Sequence, residues 1–234
     1  MIKIIPAEAR YYLASDWLKS YYLFSFSSYN DPENVQFGNL RVFNDFTIEP
    51  GKGFSMHTHS EAEIVTIVLE GELTHEDNLG NKKILGKEDV QCMTTGSGVE
   101  HSEFNRGKEP LHLYQIWILP VKSGLMPEYS QKKFQASMWE NKLLPLVSGK
   151  PSEGTLKMNG DATIYRSNLK EREVVHFNLE ENRLAFIYIS SGELFVNGNR
   201  LKPGDQARID QEKTLHLEAS STESVEFILI ETAP

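Results

Sequence analysis

Two short triplets carry residue types that bind transition metals. They are His57-Thr58-His59 and His101-Ser102-Glu103. In a β-strand, residues i and i+2 point to the same face, so each triplet can present two donors side by side. If the triplets lie on neighbouring strands, three imidazoles and one carboxylate converge on one centre. This spacing predicts a site for a single first-row metal ion.

The donor types restrict both the metal and the kind of site. Imidazole is a borderline-soft ligand, so the set suits iron, nickel, copper, manganese or zinc better than magnesium or calcium. Structural zinc sites are more often closed by cysteines, and the chain has one cysteine, Cys92. We therefore expect a centre with open coordination positions. Because ligand imidazoles must be neutral, metal occupancy is expected to fall as the pH drops through about 6.5.

The segments that must position these residues have the sequence pattern of short β-strands. Residues 111–119 alternate regularly, and the runs 64–69, 183–189 and 225–230 are rich in strand-forming residues. Asn and Gly at 78–81 and 197–199 supply hairpin turns. Helix is expected only near residues 7–19 and 130–142. The fold class is therefore predicted to be all-β, with little helix.

A weak internal repeat suggests two domains. Gly71-Glu72-Leu73 recurs as Gly192-Glu193-Leu194, and the strand pattern lapses between Pro120 and Pro151. We predict duplicated barrels. Residues 1-125 form a metal-binding domain, 126-150 a connection, and 151-234 a second domain.

The second copy lacks the His-x-His motif. Counting back from Gly192 by the interval that separates His57 from Gly71 leads to Asn178. His176 and His216 are left as isolated histidines, expected to be packed or on the surface. We predict that this barrel holds no metal and that it covers and stabilises the first.

Composition excludes several classes of protein. The 234 residues include 24 Lys and Arg against 33 Asp and Glu, a net charge of −9. Such a chain has no diffuse basic surface with which to bind nucleic acid directly. Charged residues interrupt the apolar stretch before residue 26, so no membrane anchor is expected. A single cysteine favours a reducing compartment, and we expect the cytoplasm.

The residues around both triplets resemble a known superfamily. Gly51 precedes His57 by six positions, and Gly86, Cys92 and the loop 94–98 precede His101. These resemble the two signature motifs of the cupins, which are six- to eight-stranded antiparallel barrels with a metal inside. Residues 57–72, 90–103 and 111–117 further resemble the pirin family of bicupins, especially its compact bacterial members similar to quercetin 2,3-dioxygenase. Cys92 departs from that pattern because pirins often carry an aromatic residue there.

The resemblance implies two tandem cupin barrels of the double-stranded β-helix, jelly-roll-like type. It also implies that His57, His59, His101 and Glu103 bind the metal. Glu63 is the alternative fourth ligand, because many other cupins use a glutamate at that position. Iron is the ion we favour, with nickel, copper, manganese, zinc or cobalt as alternatives, and no organic cofactor is predicted. Three further residues are candidates for contacting and orienting these ligands without binding the metal themselves: Glu63, His75 and His112.

The implied activity is metal-dependent dioxygenation. A flavonol such as quercetin would react with dioxygen and open to a depside with release of carbon monoxide, with Glu103 as the candidate catalytic base. The alternative is a non-catalytic regulatory protein of the pirin type, which responds to metal or redox state and binds a protein partner. A third hypothesis is metal-assisted hydrolysis or isomerisation, which would need no dioxygen.

Overall fold

The computed structural model describes residues 1–234, which form two β-barrels. Twelve strands cover the first part of the chain: β1 (Ile2–Ile5), β2 (Tyr11–Ala14), β3 (Leu18–Tyr22), β4 (Leu40–Ile48), β5 (Gly53–His59), β6 (Glu63–Glu70), β7 (Glu72–Asp77), β8 (Lys82–Gly86), β9 (Asp89–Thr94), β10 (Val99–Phe104), β11 (Leu111–Ile118) and β12 (Glu128–Lys133). Ten more follow: β13 (Leu144–Ser148), β14 (Leu156–Lys157), β15 (Ala162–Leu169), β16 (Val174–Asn178), β17 (Leu184–Ser191), β18 (Leu194–Val196), β19 (Asn199–Leu201), β20 (Gln206–Ile209), β21 (Thr214–Ala219) and β22 (Val225–Thr232).

The two barrels repeat one topology. Each has a seven-stranded sheet, in the order β12-β9-β6-β11-β4-β3-β2 in the first and β1-β20-β17-β22-β15-β13-β14 in the second. Each also has a four-stranded sheet, β5-β10-β7-β8 or β16-β21-β18-β19. Gly71 and Gly192 occupy matching turns with φ of 79° and 71°. A side chain at either would collide with the backbone at the start of β11 or β22, which explains why both copies keep glycine. The all-β, duplicated architecture predicted from the sequence is confirmed.

The prediction of helix in two segments is wrong. Residues 7–19 hold one short 3-10 helix, Ala7–Ala9, and strands β2 and β3, while residues 130–142 hold most of β12 and a second 3-10 helix, Ala136–Met138. Strand β2 pairs with β3, and β12 with β9, so the backbone groups of these segments are satisfied by sheet pairing. Tertiary pairing here overrides a mixed local propensity. No helix in the fold is long and apolar enough to cross a membrane.

Strand pairing links the two barrels across the predicted domain limits. Strand β1 pairs with β20 of the second barrel, although it begins the chain. Within the predicted connection, β12 extends the first barrel's sheet and β13 pairs with β15 of the second. The limits at 125 and 151 stay a prediction. The large sheet of the first barrel includes β12 from outside these limits, and that of the second includes β1 and β13.

The large sheets pack face to face in a shared core. One cluster of 22 buried apolar residues draws on both barrels. Phe43 lies at its centre, with its ring 5.3 Å from Tyr114, 5.5 Å from Phe186 and 4.8 Å from Tyr188. Cys92 belongs to this core as a buried free thiol, and burial raises its pKa. The inter-barrel contact is therefore a hydrophobic core rather than a loose domain interface.

Replacing Phe43 by alanine tests this shared core. We expect Phe43→Ala to lower the free energy of unfolding by about 3–5 kcal/mol, because the cavity forms between two sheets that cannot collapse independently. Chemical denaturation followed by tryptophan fluorescence and circular dichroism measures the change. Met126→Ala, at a side chain that is 78% exposed, is the control and should change little. A Phe43→Ala protein as stable as this control would show that the two sheets are not cooperatively packed.

Candidate metal centre

The predicted triplets lie on neighbouring antiparallel strands. Strand β5 pairs with β10 so that His57 is opposite His101 and His59 is opposite Val99. One nitrogen of each of the three imidazoles lies within 4.8 Å of the others. Adjacent pairing thus brings together side chains 44 residues apart along the chain, which is the arrangement the i, i+2 spacing required.

Glu103 lies deeper in the barrel than His57 and His59, whose side chains are partly exposed. The pairing of β5 with β10 is irregular between His101 and Glu103, where β5 contains one extra residue, so Glu103 lies opposite Phe54. Its Oε1 accepts a hydrogen bond from Gln91 Nε2 at 2.7 Å, and its Oε2 accepts one from Gln115 Nε2 at 2.9 Å. A carboxylate oxygen of Glu103 and one nitrogen each of His75 and His101 lie within 4.8 Å of one another. His57 and His59 are not part of this group. His101 is therefore the common member of two overlapping triads.

Two of the three imidazoles, those of His59 and His101, are held neutral. Burial, followed by repulsion from its histidine neighbours, lowers the pKa of His101 to about 3. The same causes lower the pKa of His59 to about 4. Both ring nitrogens of His101 are buried without a hydrogen-bond partner, an arrangement that ordinarily calls for an unseen partner. Neutral, unpartnered imidazole nitrogens are the donors that a transition metal requires, so the residues present fit such an ion.

His57 is oriented by the backbone. Its Nδ1 lies 2.7 Å from the carbonyl oxygen of Ser55 and donates to it, which leaves Nε2 as the lone-pair nitrogen. Metal-binding histidines commonly use one ring nitrogen in this way to fix the other. The side chain is partly exposed, as is that of His59, while His101 is fully buried. One side of the candidate centre therefore reaches solvent.

Of the three supporting candidates, the structure brings only His75 to the centre. Its ring is fully buried and its centroid lies 5.4 Å from that of His101. Its Nε2 lies 3.1 Å from Asp77 Oδ2. Burial opposes ionisation of Asp77, but hydrogen bonds from Asn81 and His75 outweigh it and hold the pKa of Asp77 below its usual range.

The structure does not bring Glu63 and His112 to the centre, because alternation along β6 and β11 turns both side chains to the opposite face of the sheet. Glu63 Oε2 accepts from Thr94 Oγ1 at 2.8 Å and from the backbone N–H of Asn159, in the second barrel. Burial raises its pKa. His112 Nε2 lies 2.7 Å from Asp45 Oδ1, also at the inter-barrel face. Of the two candidates for the fourth ligand, Glu103 is therefore the one that lies on the same side of the sheet as the histidines.

Sequence reasoning missed the residues that hold Glu103. Gln91 and Gln115 project from β9 and β11 into the barrel, and Gln91 also donates to Thr66 Oγ1 at 3.0 Å. Gln115 falls on the same strand face as Leu111 and Leu113, so a buried amide within an apolar strand face was the available clue. Such an amide needs partners, and a buried carboxylate supplies them.

Aromatic rings flank the solvent side of the centre. Trp117 meets His59 edge-on with 4.7 Å between ring centroids, and Phe26 packs against Trp117 at 5.4 Å. On the other side, Phe54 lies 6.4 Å from His57 and is backed by Trp17. All four aromatic side chains are partly exposed. We call Phe26, Phe54 and Trp117 the aromatic rim.

The second barrel has apolar side chains at the matching positions. Strand β16 pairs with β21 so that Val175 is opposite Leu217 and Phe177 is opposite Leu215, and these face the second core. The pairing of β21 with β18 aligns Leu215 with His101 and Leu217 with Glu103. Phe177, opposite Leu215, therefore matches His57 and lies one residue before the position counted from Gly192. His176 and His216 are not isolated but lie opposite each other on the outer face, with ring centroids 5.0 Å apart.

Comparisons with known proteins agree with this geometry. Residues 6–118 match the family model described as Pirin, and residues 145–232 match the one described as Quercetinase C-terminal cupin domain. The chain is 38% identical over 227 residues to quercetin 2,3-dioxygenase of Escherichia coli K12, covering 96% of each. It is also 38% identical over 218 residues to a pirin-like protein of Caulobacter vibrioides, covering 93% of each. The chain belongs to the pirin family.

A solved pirin structure extends the comparison. The crystal structure of the bacterial pirin YhhW in complex with nickel(II), from Escherichia coli, matches with a TM-score of 0.94 and 35% identity, over 100% of both chains. The resemblance to pirins noted in the sequence is thereby confirmed. For this chain the comparison supports a centre for a divalent transition metal.

The lowered histidine pKa values predict how stability depends on pH. Histidine in the unfolded chain titrates near 6.5, whereas His59 and His101 titrate near 4 and 3 in the folded protein. The unfolded state therefore takes up protons first as the pH falls. We expect the metal-free protein to lose stability from about pH 6.5 down to about pH 3. In the folded protein, protons therefore compete with a metal ion for His59 and His101 only at pH values below the range expected from free histidine.

Denaturant titrations at several pH values, with and without His101→Ala, measure this effect. The variant loses the contribution of one titrating group, so its stability should depend less steeply on pH between about 6.5 and 3. Equal pH dependence in the two proteins would contradict the buried, neutral state of His101.

The placement of the two glutamates gives a matched pair of variants. We expect Glu103→Gln to weaken binding of Ni²⁺ by at least about 10–100-fold, because a neutral amide replaces the carboxylate beside His101. Glu63→Gln should leave the affinity unchanged, since that side chain lies on the opposite face of the sheet. Isothermal titration calorimetry on metal-free protein gives both values. A loss of affinity in the Glu63 variant alone would reverse the assignment.

Proposed function

We propose that this chain is a metal-dependent dioxygenase that opens flavonols such as quercetin to a depside with release of carbon monoxide. The proposal is carried by one observation: three convergent imidazoles and a buried carboxylate stand beside a partly exposed aromatic rim. The 38% identity to a protein named quercetin 2,3-dioxygenase supports the same reaction class. A cytoplasmic location stays a prediction.

His57, His59, His101 and Glu103 would hold the ion in this proposal. A divalent transition metal suits imidazole and carboxylate donors together. Iron remains the ion we predict, and nickel is the ion named for the related pirin structure. When bound, such a metal lowers the pKa of a coordinated hydroxyl group and permits electron transfer toward dioxygen.

Glu103 is the group placed to move a proton. Each of its oxygens accepts one amide hydrogen bond, which leaves further lone pairs for a substrate hydroxyl. Gln91 and Gln115 fix the carboxylate plane, so its free lone pairs have a fixed direction. Because Gln115 Oε1 also accepts from Trp117 Nε1 at 3.3 Å, the carboxylate and the aromatic rim are held by one network. In this proposal Glu103 accepts the proton of the hydroxyl group that approaches the centre.

The aromatic rim would bind the substrate rings. Planar aromatic molecules stack favourably on or against indole and phenyl rings, and such contacts exclude water from the site. The rim flanks the two partly exposed histidines, so a flavonol entering from solvent would meet aromatic rings before the buried His101. This geometry fits an aromatic substrate better than a charged or strongly hydrated one.

Incubation of the purified holoprotein with quercetin tests the proposal. We expect the flavonol absorbance band to decay in air and to persist under anaerobic conditions. His57→Ala and His101→Ala should reduce the rate by at least about 100-fold, because each removes a proposed ligand, and chelation should have the same effect. Headspace analysis for carbon monoxide identifies the cleavage.

His176→Ala is the matched control, since that histidine is exposed on the outer face of the second barrel. It should retain full activity. Turnover without oxygen would favour hydrolysis or isomerisation. Metal binding without any turnover of flavonols would favour the non-catalytic, metal-responsive role and an associated protein partner.

A further inference from the structure

His75 is a buried imidazole that the proposed reaction does not use. Its side chain has no solvent exposure, and its Nδ1 has no hydrogen-bond partner. An uncompensated polar atom in the core destabilises the folded protein. The same barrel interior also holds the two unpartnered nitrogens of His101. The position of His75 therefore needs a physical explanation.

Asp77 fixes which nitrogen of His75 carries the proton. Asp77 Oδ2 lies 3.1 Å from His75 Nε2, and the Asp77 carboxylate is itself held by the backbone N–H groups of Leu79 and Asn81 and by Asn81 Nδ2. A carboxylate with this many donors is ionised and acts as an acceptor. His75 Nε2 must then donate, which leaves the lone pair on Nδ1.

This arrangement is typical of a metal-binding histidine. Such residues almost always donate the second ring N–H to a carboxylate, a backbone carbonyl or water, which fixes the ring and increases its basicity. His57 shows the same pattern with the carbonyl of Ser55. Tyr129 stacks on the His75 ring with 4.7 Å between centroids and holds it from the other side.

We propose that His75, His101 and Glu103 form a second, inner position for the metal ion. One donor atom of each of these three buried residues lies within 4.8 Å of the others. The outer position, formed by the triad of His57, His59 and His101 with Glu103 as the proposed fourth ligand, shares His101 and Glu103 with it. A chain therefore holds one ion, in one position or the other. The inference rests on the proposed metal centre but concerns where its ion can reside.

The two positions differ in their access to substrate. The outer triad has two partly exposed histidines beside the aromatic rim, whereas all three members of the inner triad are buried. An ion in the inner position would be coordinated by more deeply buried groups and would be removed from the rim. The inner position therefore retains the ion when the outer ligands do not engage it.

Titration of metal-free full-length protein with Ni²⁺ tests the inner position. Every variant carries His176→Ala, which removes the exposed pair formed with His216. We expect His57→Ala/His59→Ala to bind one equivalent of Ni²⁺ with an affinity reduced by about 10–100-fold. Adding Asp77→Asn should reduce it by a further 10–100-fold, the usual effect of removing the partner of a ligating histidine. Adding His75→Ala instead should remove the remaining binding.

The outer position provides the control. With His57 and His59 intact, Asp77→Asn should leave Ni²⁺ affinity unchanged, because the ion then does not depend on His75. Near-UV circular dichroism establishes that each variant is folded, and His75→Gln replaces His75→Ala if the latter is not. The proposal is overturned if the His57→Ala/His59→Ala protein binds no Ni²⁺, or binds it equally with and without His75. The readout is metal binding, so inactivity toward quercetin would contradict the proposed function and leave this test intact.

Discussion

The antiparallel pairing of β5 with β10 is the constraint on which the candidate centre depends. It sets His57 opposite His101 and brings the i+2 neighbour His59 to the same face. A shift of this pairing by one residue would turn one set of donors to the other side of the sheet. The remaining strands of the barrel hold this register, because β10 also pairs with β7 on its other side. That second pairing places His75 directly opposite Glu103.

Burial gives these residues their chemistry. A histidine on an open strand would be partly protonated near neutral pH, but desolvation inside the barrel keeps His59 and His101 neutral. Glu103 experiences the same interior, and two glutamine amides supply the hydrogen bonds that solvent would otherwise give. The site therefore combines the neutral imidazoles of His59 and His101 with a carboxyl group held in a fixed orientation, an arrangement that suits metal binding.

The central strands of the first barrel's large sheet have one face toward the barrel interior and the other toward the core shared with the second barrel. Along β6, Ile64 and Thr66 face the barrel, while Val65 and Ile67 pack in the core shared with the second barrel. The second barrel thus supports the wall from which Gln91 and Gln115 project. Its positions that match His57, His101 and Glu103 hold Phe177, Leu215 and Leu217, and these pack in its apolar core. Duplication has given one barrel that holds polar donors and one that packs against it.

The sequence by itself determined the all-β class, the repeat and the three converging histidines, because strand alternation and turn glycines are local properties. It did not determine which face of its strand Glu63 or His112 occupies, nor that Gln91, Gln115 and His75 surround Glu103. Those facts depend on which strands become neighbours and on the register shift after His101. The count from Gly192 led to Asn178 rather than Phe177 for the same reason, since a one-residue difference between the copies is visible only in the strand pairing. Tertiary structure decided the surroundings of each donor, and those surroundings set its protonation and its partners.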